Sequence, residues 1–394
     1  MRTFTSTTLR IVAAAAAALA LGACASRPDG MTGAATYFLS VQDGRAGLQD
    51  GVPLVRSSPD TLAVVELAGG QLKVVHQVAM PTSLVGPPSS IAVAPGGKLA
   101  LVTAATRRDP SDPKKVVPFD LVSVVSLDPS GKAAPQVLAD LRAGAGASGV
   151  SIHPSGSLAL VANRVEGSVS VLAIEGQVVR SIDKIQLGDK AGPAHVAFTP
   201  DGTRALISRD DNRVSVLTIN GNKVTLDKRE IAAGLRPYGL DVSPDGAWAA
   251  VTNLGMGQGD ADTISLIDLR AQPPRVVDTV TVGQTPEGVF FSPDSKTLGV
   301  SVIDGSNKPA ASPFHGMARY RQYRVDQGRL KVAGEVRGGQ WLQGHAFDAA
   351  GTSVVVQDAA NRQLRLYRSQ GDGLADTGIR LQFDGAPCAL VRWR

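Results

Sequence analysis

The chain has 394 residues, 40 Lys and Arg against 35 Asp and Glu for a net charge of +5, and few aromatics (4%) among 43 glycines and 24 prolines. Its basic residues are scattered, with no basic helix and no aromatic interleaving, which excludes a nucleic-acid binder; only two cysteines, Cys24 and Cys388, are present, so no disulfide framework is expected. Residues 1–23 place Arg2 and Arg10 before an alanine-rich apolar run from Ile11 to Leu21. That run is too short to span a bilayer and fits the core of a signal peptide. No later apolar segment is long enough to cross a membrane.

The run closes on Leu21-Gly22-Ala23-Cys24, small residues ahead of a cysteine, which resembles the bacterial lipobox. The resemblance implies that Cys24 is acylated and becomes the new N-terminus, followed by a lipidated tether over 24–33. With Ala25 and Ser26 next and no Asp in the second mature position, it implies a periplasm-facing lipoprotein of the cell envelope, sorted to the outer membrane. An ordinary secretory signal cut near Ala25 is the alternative.

From residue 34 onward the chain reads as strands. Tyr37 to Val41, Thr61 to Leu67 and Leu72 to Val78 are apolar runs of strand length. Then one passage recurs: an apolar run, a Pro/Gly turn, a second apolar run. Its turns begin at positions 95, 154, 200, 244, 293 and 349, and a seventh apolar run, Ala389 to Trp393, stops at the C-terminus. Each repeat holds four strands. One copy gives Tyr238–Val242, Trp248–Asn253, Thr263–Ile267 and Arg275–Val282; the copy before it gives His195–Phe198, Arg204–Ser208, Arg213–Ile219 and Lys223–Ile231. Two long spacings carry insertions between second and third strands, Arg107 to Lys115 and Asp304 to about Tyr320. Repeats of this size without helical periodicity predict an all-β, seven-bladed β-propeller with four-stranded antiparallel blades in a single domain over 34–394. The N-terminal runs supply a second, third and fourth strand, so the C-terminal run closes the ring as their first strand. A propeller buries its core alone, so a monomer is expected.

The Pro-Asp-Gly turns, the Ala-Val-Thr-Asn strand (Ala250 to Asn253) and the Ile-Ser-Leu strand (Ile264 to Leu266) resemble the YVTN/lactonase-like propeller superfamily over the whole mature chain. That superfamily mixes lactonases, cytochrome-linked enzymes and proteins with no assigned chemistry, so the resemblance implies the fold more specifically than an activity.

Aligning the copies on their turns sets the residues that begin each first strand at the mouth of the central channel: Ser89, Ser148, Ala194, Tyr238, Glu287, Gln343 and Cys388. The next position holds Ser90, Gly149, His195, Gly239, Gly288, Gly344 and Ala389. Arg236 stands just before Tyr238, while Trp341 and His315 fall in loops rimming the mouth. A convergent polar set of this kind suits a small-ligand site. The leading expectation is a lipid-anchored scaffold that binds a small molecule or an envelope protein through this loop-rich face. The alternative is a lactonase-like hydrolase. Pro193-Ala194-His195-Val196-Ala197-Phe198 resembles the Pro-x-His-x-x-Phe segment of phosphogluconolactonase-like propellers, which implies His195 as base and Arg236 as oxyanion partner. The glutamate that the family carries at the end of a second strand is absent from Leu206-Ile207-Ser208-Arg209-Asp210, leaving Glu287 as the substitute acid. Ser89, Ser148, Tyr238, Gln343, Trp341 and His315 are the ligand-binding candidates. No haem motif and no metal-ligand spacing of histidines appears, so neither cofactor nor metal is expected; an oxygen cage at Asp260 and Asp262 is the one calcium option. Cys388 and Trp393 read as core residues of the closing strand, and His345, one position off the His195 register, as facing a neighbouring blade.

Overall fold

Alternating apolar residues on either side of Pro-Asp-Gly-type turns force the chain into short antiparallel hairpins, and each hairpin pair buries one face against the next. The computed structural model describes residues 35–84, 86–370 and 373–394. The signal peptide, the acylation site Cys24 and the tether lie outside the described residues. The strands form seven four-stranded antiparallel blades, with no helix among the described residues. The first blade orders Ala386–Arg392, Thr36–Asp43, Thr61–Ala68 and Gln71–Ala79, so the last strand of the chain completes the first blade, as the repeat predicts. Blades two to seven begin at Ile91, Ala147, Pro193, Pro237, Pro286 and Leu342 and run in sequence order.

Closure is sealed at the terminus. Trp393 donates its indole N–H to the Gly97 carbonyl in the turn of the second blade (2.8 Å), and on the backbone Tyr37 donates its N–H to the Arg394 carbonyl and accepts the Trp393 N–H (both 2.8 Å). Cys388 is buried, its Sγ against the Val41 carbonyl. Both residues thus act as the core elements the sequence suggests.

Between blades lie apolar layers. Leu160 and Val171 of the third blade, for example, meet Val196, Phe198 and Ile207 of the fourth. Seven such clusters fill the ring. Each fully buried Leu, Ile or Val contributes about 1.5–3 kcal/mol, which lets a chain poor in aromatics hold a ring of this size.

Three departures from the sequence reading have local causes. The fourth strand of the fourth blade is not continuous over Lys223–Ile231. It breaks into Lys223–Leu226 and Ile231–Ala232 because Asp227 turns to bind Thr218 and Glu230 is drawn to Arg209 and Arg213. The 107–115 insertion is not a loose loop: Leu99–Arg108 and Val116–Ser126 continue their pairing as an extended hairpin. A further hairpin, Ala46–Gln49 with Val52–Val55, emerges within the first blade, and Arg108 caps its Leu54 carbonyl (3.3 Å).

Candidate functional site

Five of the seven first strands open with the same irregularity. The register slips between Ala147 and Val150, Pro193 and Val196, Pro237 and Leu240, Pro286 and Val289, and Leu342 and His345. In each case two residues oppose one on the second strand. A bulge of this type re-aims side chains at a sheet rim. It sets the residues expected at the mouth (Ser148, Ala194, Tyr238, Glu287, Gln343) outside the regular pleat.

Hydroxyls on second strands hold the bulges in place. Ser208 accepts the His195 N–H (3.1 Å) and donates to the Tyr238 carbonyl of the next blade (2.5 Å). Thr252 accepts from Gly239 (2.7 Å) and donates to the Glu287 carbonyl (3.0 Å). Thr103 likewise donates to the Ser148 carbonyl. Each tie joins two blades through the backbone of a mouth residue. The second bulge position leans on the neighbouring blade, which explains its glycines: a Cβ at Gly239 would stand 2.0 Å from the Glu287 carbonyl oxygen. His195 is the one large side chain at that position. It lies over Tyr238 with ring centroids 4.9 Å apart.

Two residues before the mouth position the backbone takes left-handed φ in five blades: Gly146, Gly192, Arg236, Thr285 and Trp341. Glycine adopts this conformation without strain. Three consecutive blades instead carry side chains there, and these are the blades whose mouth residues are Tyr238, Glu287 and Gln343. Strained non-glycine residues of this kind cluster at functional sites.

The charges form one connected group. Arg164 donates two hydrogen bonds to Asp210 (2.7 and 2.9 Å) and stacks its guanidinium over the Tyr238 ring at 5.1 Å. Arg236 reaches toward the same carboxylate at 3.9 Å and donates to the Gly255 carbonyl (3.2 Å). Beneath this layer, both ring nitrogens of His195 and Oε2 of Glu287 have no hydrogen-bond partner. Burial, helped by the Arg164 charge, pulls His195 down to about 3, so it is neutral at ordinary pH. Burial pushes the Glu287 carboxyl up to about 8, against the opposing pull of the Trp341 and Gln343 side chains and of Arg164. Tyr238 is raised by burial and by Glu287.

The structure therefore brings together His195, Arg236, Tyr238, Glu287, Trp341 and Gln343. Ser89 is adjacent: a Cβ on Gly149 would stand 2.8 Å from both its Oγ and the His195 Cα. Ser148 is buried, its carbonyl held by Thr103. His315 is not part of the group; it is exposed, with Nδ1 against the Lys308 carbonyl (3.0 Å). Asp262 spends its carboxylate on the Thr285 N–H (2.8 Å), and no three His, Cys, Asp or Glu side chains among the described residues gather as a metal site. His345 does face the neighbouring blade, with Nδ1 at 3.1 Å from Ser301 Oγ. No open pocket joins His195, Arg236 and Glu287, as an enzyme rather than a scaffold would require: His195 is fully buried and Glu287 8% exposed, while Arg164, Asp210, Arg236 and Trp341 reach solvent.

Arg164 and Asp210 escaped the sequence reading. They stand at matching positions, each the first residue after a second strand in neighbouring blades, so aligning second-strand ends rather than turns would have exposed the opposite charges. Asp210 also closes the strand in which the family resemblance implied a glutamate.

The fold and this geometry define a seven-bladed β-propeller with a polar cluster at one end of its channel. Residues 118–235 match the family described as "Lactonase, 7-bladed beta-propeller". Arg164, His195 and Asp210 fall inside that window, and Arg236 is the next residue after it. A 6-phosphogluconolactonase of Erwinia tasmaniensis is 29% identical over 116 residues, 27% of this chain, and the match spans about a third (35%) of that relative's length. The periplasmic gluconolactonase PpgL of Pseudomonas aeruginosa superposes with a TM-score of 0.69 at 18% identity, covering 91% of this chain and 98% of its own. A functionally unknown protein of Desulfotomaculum acetoxidans does so at 0.63 and 15%, covering 91% and 98%. Likeness at such identities shows the fold.

Proposed function

We propose that the chain is a lactonase-like hydrolase that opens a small sugar lactone at the channel mouth. The observation that carries this is the buried pair of His195, with both ring nitrogens unpartnered, and Glu287, with Oε2 unpartnered, beneath two solvent-reaching guanidiniums. The family match over 118–235 and the similarity to a 6-phosphogluconolactonase support it over a purely binding scaffold.

Roles follow from the electrostatics. A carboxyl tuned to about 8 is the group suited to move a proton near neutrality, whereas an imidazole at about 3 is a weak base. Ionised Glu287 takes a proton from water as the water adds to the lactone carbonyl, and returns it to the ring oxygen when the C–O bond breaks. Arg164 and Arg236 neutralise the developing oxyanion. Neutral His195 hydrogen-bonds the water. The substrate enters past Arg164, Asp210 and Arg236, with Arg164 swinging off the Tyr238 ring.

The address belongs to the same proposal: a cell-envelope protein held in the membrane through acylated Cys24, facing the periplasm. Its support is the sequence of residues 1–26 alone.

The test is acid release in a pH-stat from δ-gluconolactone, 6-phosphogluconolactone and aliphatic lactones. Turnover by the wild type that falls at least a hundredfold in Glu287→Gln supports the reading. Equal rates in both would overturn Glu287 as the proton carrier.

A further inference from the structure

The opposite end of the channel carries a second feature that the mouth chemistry does not use. The first strands converge there on their turns and line an open cavity of about 370 Å³ that reaches back along the channel to Ser89. Its walls mix apolar and polar groups, with Val150, Val196, Leu240, Phe290 and Phe291 among the apolar ones, and one carboxylate, Asp241, stands in the lining. Asp241 Oδ2 accepts the Phe291 N–H of the next blade (2.8 Å). No cationic side chain among the described residues pairs with it. The other titratable or charged groups in the lining are His345, held neutral by burial, and Arg392, which donates to the Asp348 carbonyl (3.1 Å).

A carboxylate in an apolar cavity is costly unless a cation compensates it. The cavity volume falls within the range of small-molecule sites. A divalent metal would need six to eight oxygen ligands, and one carboxylate does not supply them. An anion would meet the Asp241 carboxylate, and the one guanidinium in the lining, Arg392, is turned to the Asp348 carbonyl. Phenyl rings beside a carboxylate favour a cation with an apolar body, since ring faces attract ammonium groups. We infer that the turn end of the channel is a binding site for a small organic ammonium, its charge on Asp241 and its body among Phe290, Phe291 and the neighbouring aliphatic side chains.

The site lies at the other end of the channel from His195 and Glu287, so its test needs no lactone. Binding of benzylammonium to the whole protein is measured by calorimetry at pH 8.5 and at pH 5.5. Burial raises Asp241 to about 7, so the carboxylate is ionised at the higher pH and protonated at the lower. Saturable binding at pH 8.5 that weakens at least tenfold at pH 5.5 is expected. Asp241→Asn keeps an acceptor for the Phe291 N–H, so its fold is retained, and it should lose at least tenfold in affinity at pH 8.5. Ser151→Phe, which fills the cavity from the register position that Phe290 holds in the sixth blade, should abolish binding while leaving Asp241 in place. Absence of saturable binding by the wild type, or wild-type affinity in either variant, would overturn the inference.

Discussion

Glu287 links the site to stability in a way that can be measured without substrate. Its carboxyl is raised from an ordinary value of 4.5 to about 8, chiefly by burial. Each tenfold change in proton affinity is worth about 1.4 kcal/mol, so ionising it inside the fold costs up to roughly 4–5 kcal/mol. The sign follows from proton counts. Between pH 4.5 and 8 the unfolded chain has released the Glu287 proton and the folded chain still holds it. Stability therefore falls as pH rises through this window and levels off above it. Glu287→Gln removes that loss. Urea unfolding of both proteins should give equal stabilities, within about 1 kcal/mol, at pH 4.5, and a variant more stable by about 3–5 kcal/mol at pH 9. Parallel pH dependences in the two proteins would refute the argument, because they would mean that Glu287 ionises as freely in the fold as in water.

Other outcomes follow from the same structure. Thr285→Gly replaces a β-branched residue at φ +57° with the residue that two other blades use there, and should raise stability by about 1 kcal/mol, read as a higher melting temperature; a lower one would show that the Thr285 side chain supports the fold. Deleting Gly385 to Arg394 removes the strand that completes the first blade and should abolish cooperative unfolding, whereas an unchanged melting curve would contradict closure by that strand. His195→Phe, which keeps a ring over Tyr238 without its unpartnered nitrogens, should fold with at least wild-type stability yet lose hydrolysis; retained turnover would reduce His195 to a packing residue.

The architecture was legible because its causes are local. Pro-Asp-Gly turns and period-two apolar runs are written residue by residue, and the unpaired strand at each terminus implies the other. Trp248–Asn253 falls on the residues expected of it, and Tyr238, Glu287 and Gln343 share one bulge position at the start of their first strands. What failed to show was set by contacts between strands and between blades. Glu230 breaks a strand because two arginines from other strands reach it. Asp210 meets Arg164 across 46 residues of sequence, and no turn-based alignment pairs them. The protonation states of His195 and Glu287 were equally invisible, since burial decides which one holds a proton at neutral pH, and burial belongs to the assembled ring.

The most direct test of the central claim is the pH profile of kcat/KM for δ-gluconolactone, corrected for spontaneous opening, in wild type and Glu287→Gln. The account predicts a rate that rises to a plateau with an apparent pKa near 8 in the wild type and is lost in the variant. No turnover by the wild type at any pH, on this or the other lactones, would contradict it and leave a propeller that binds at its loop-rich face without chemistry.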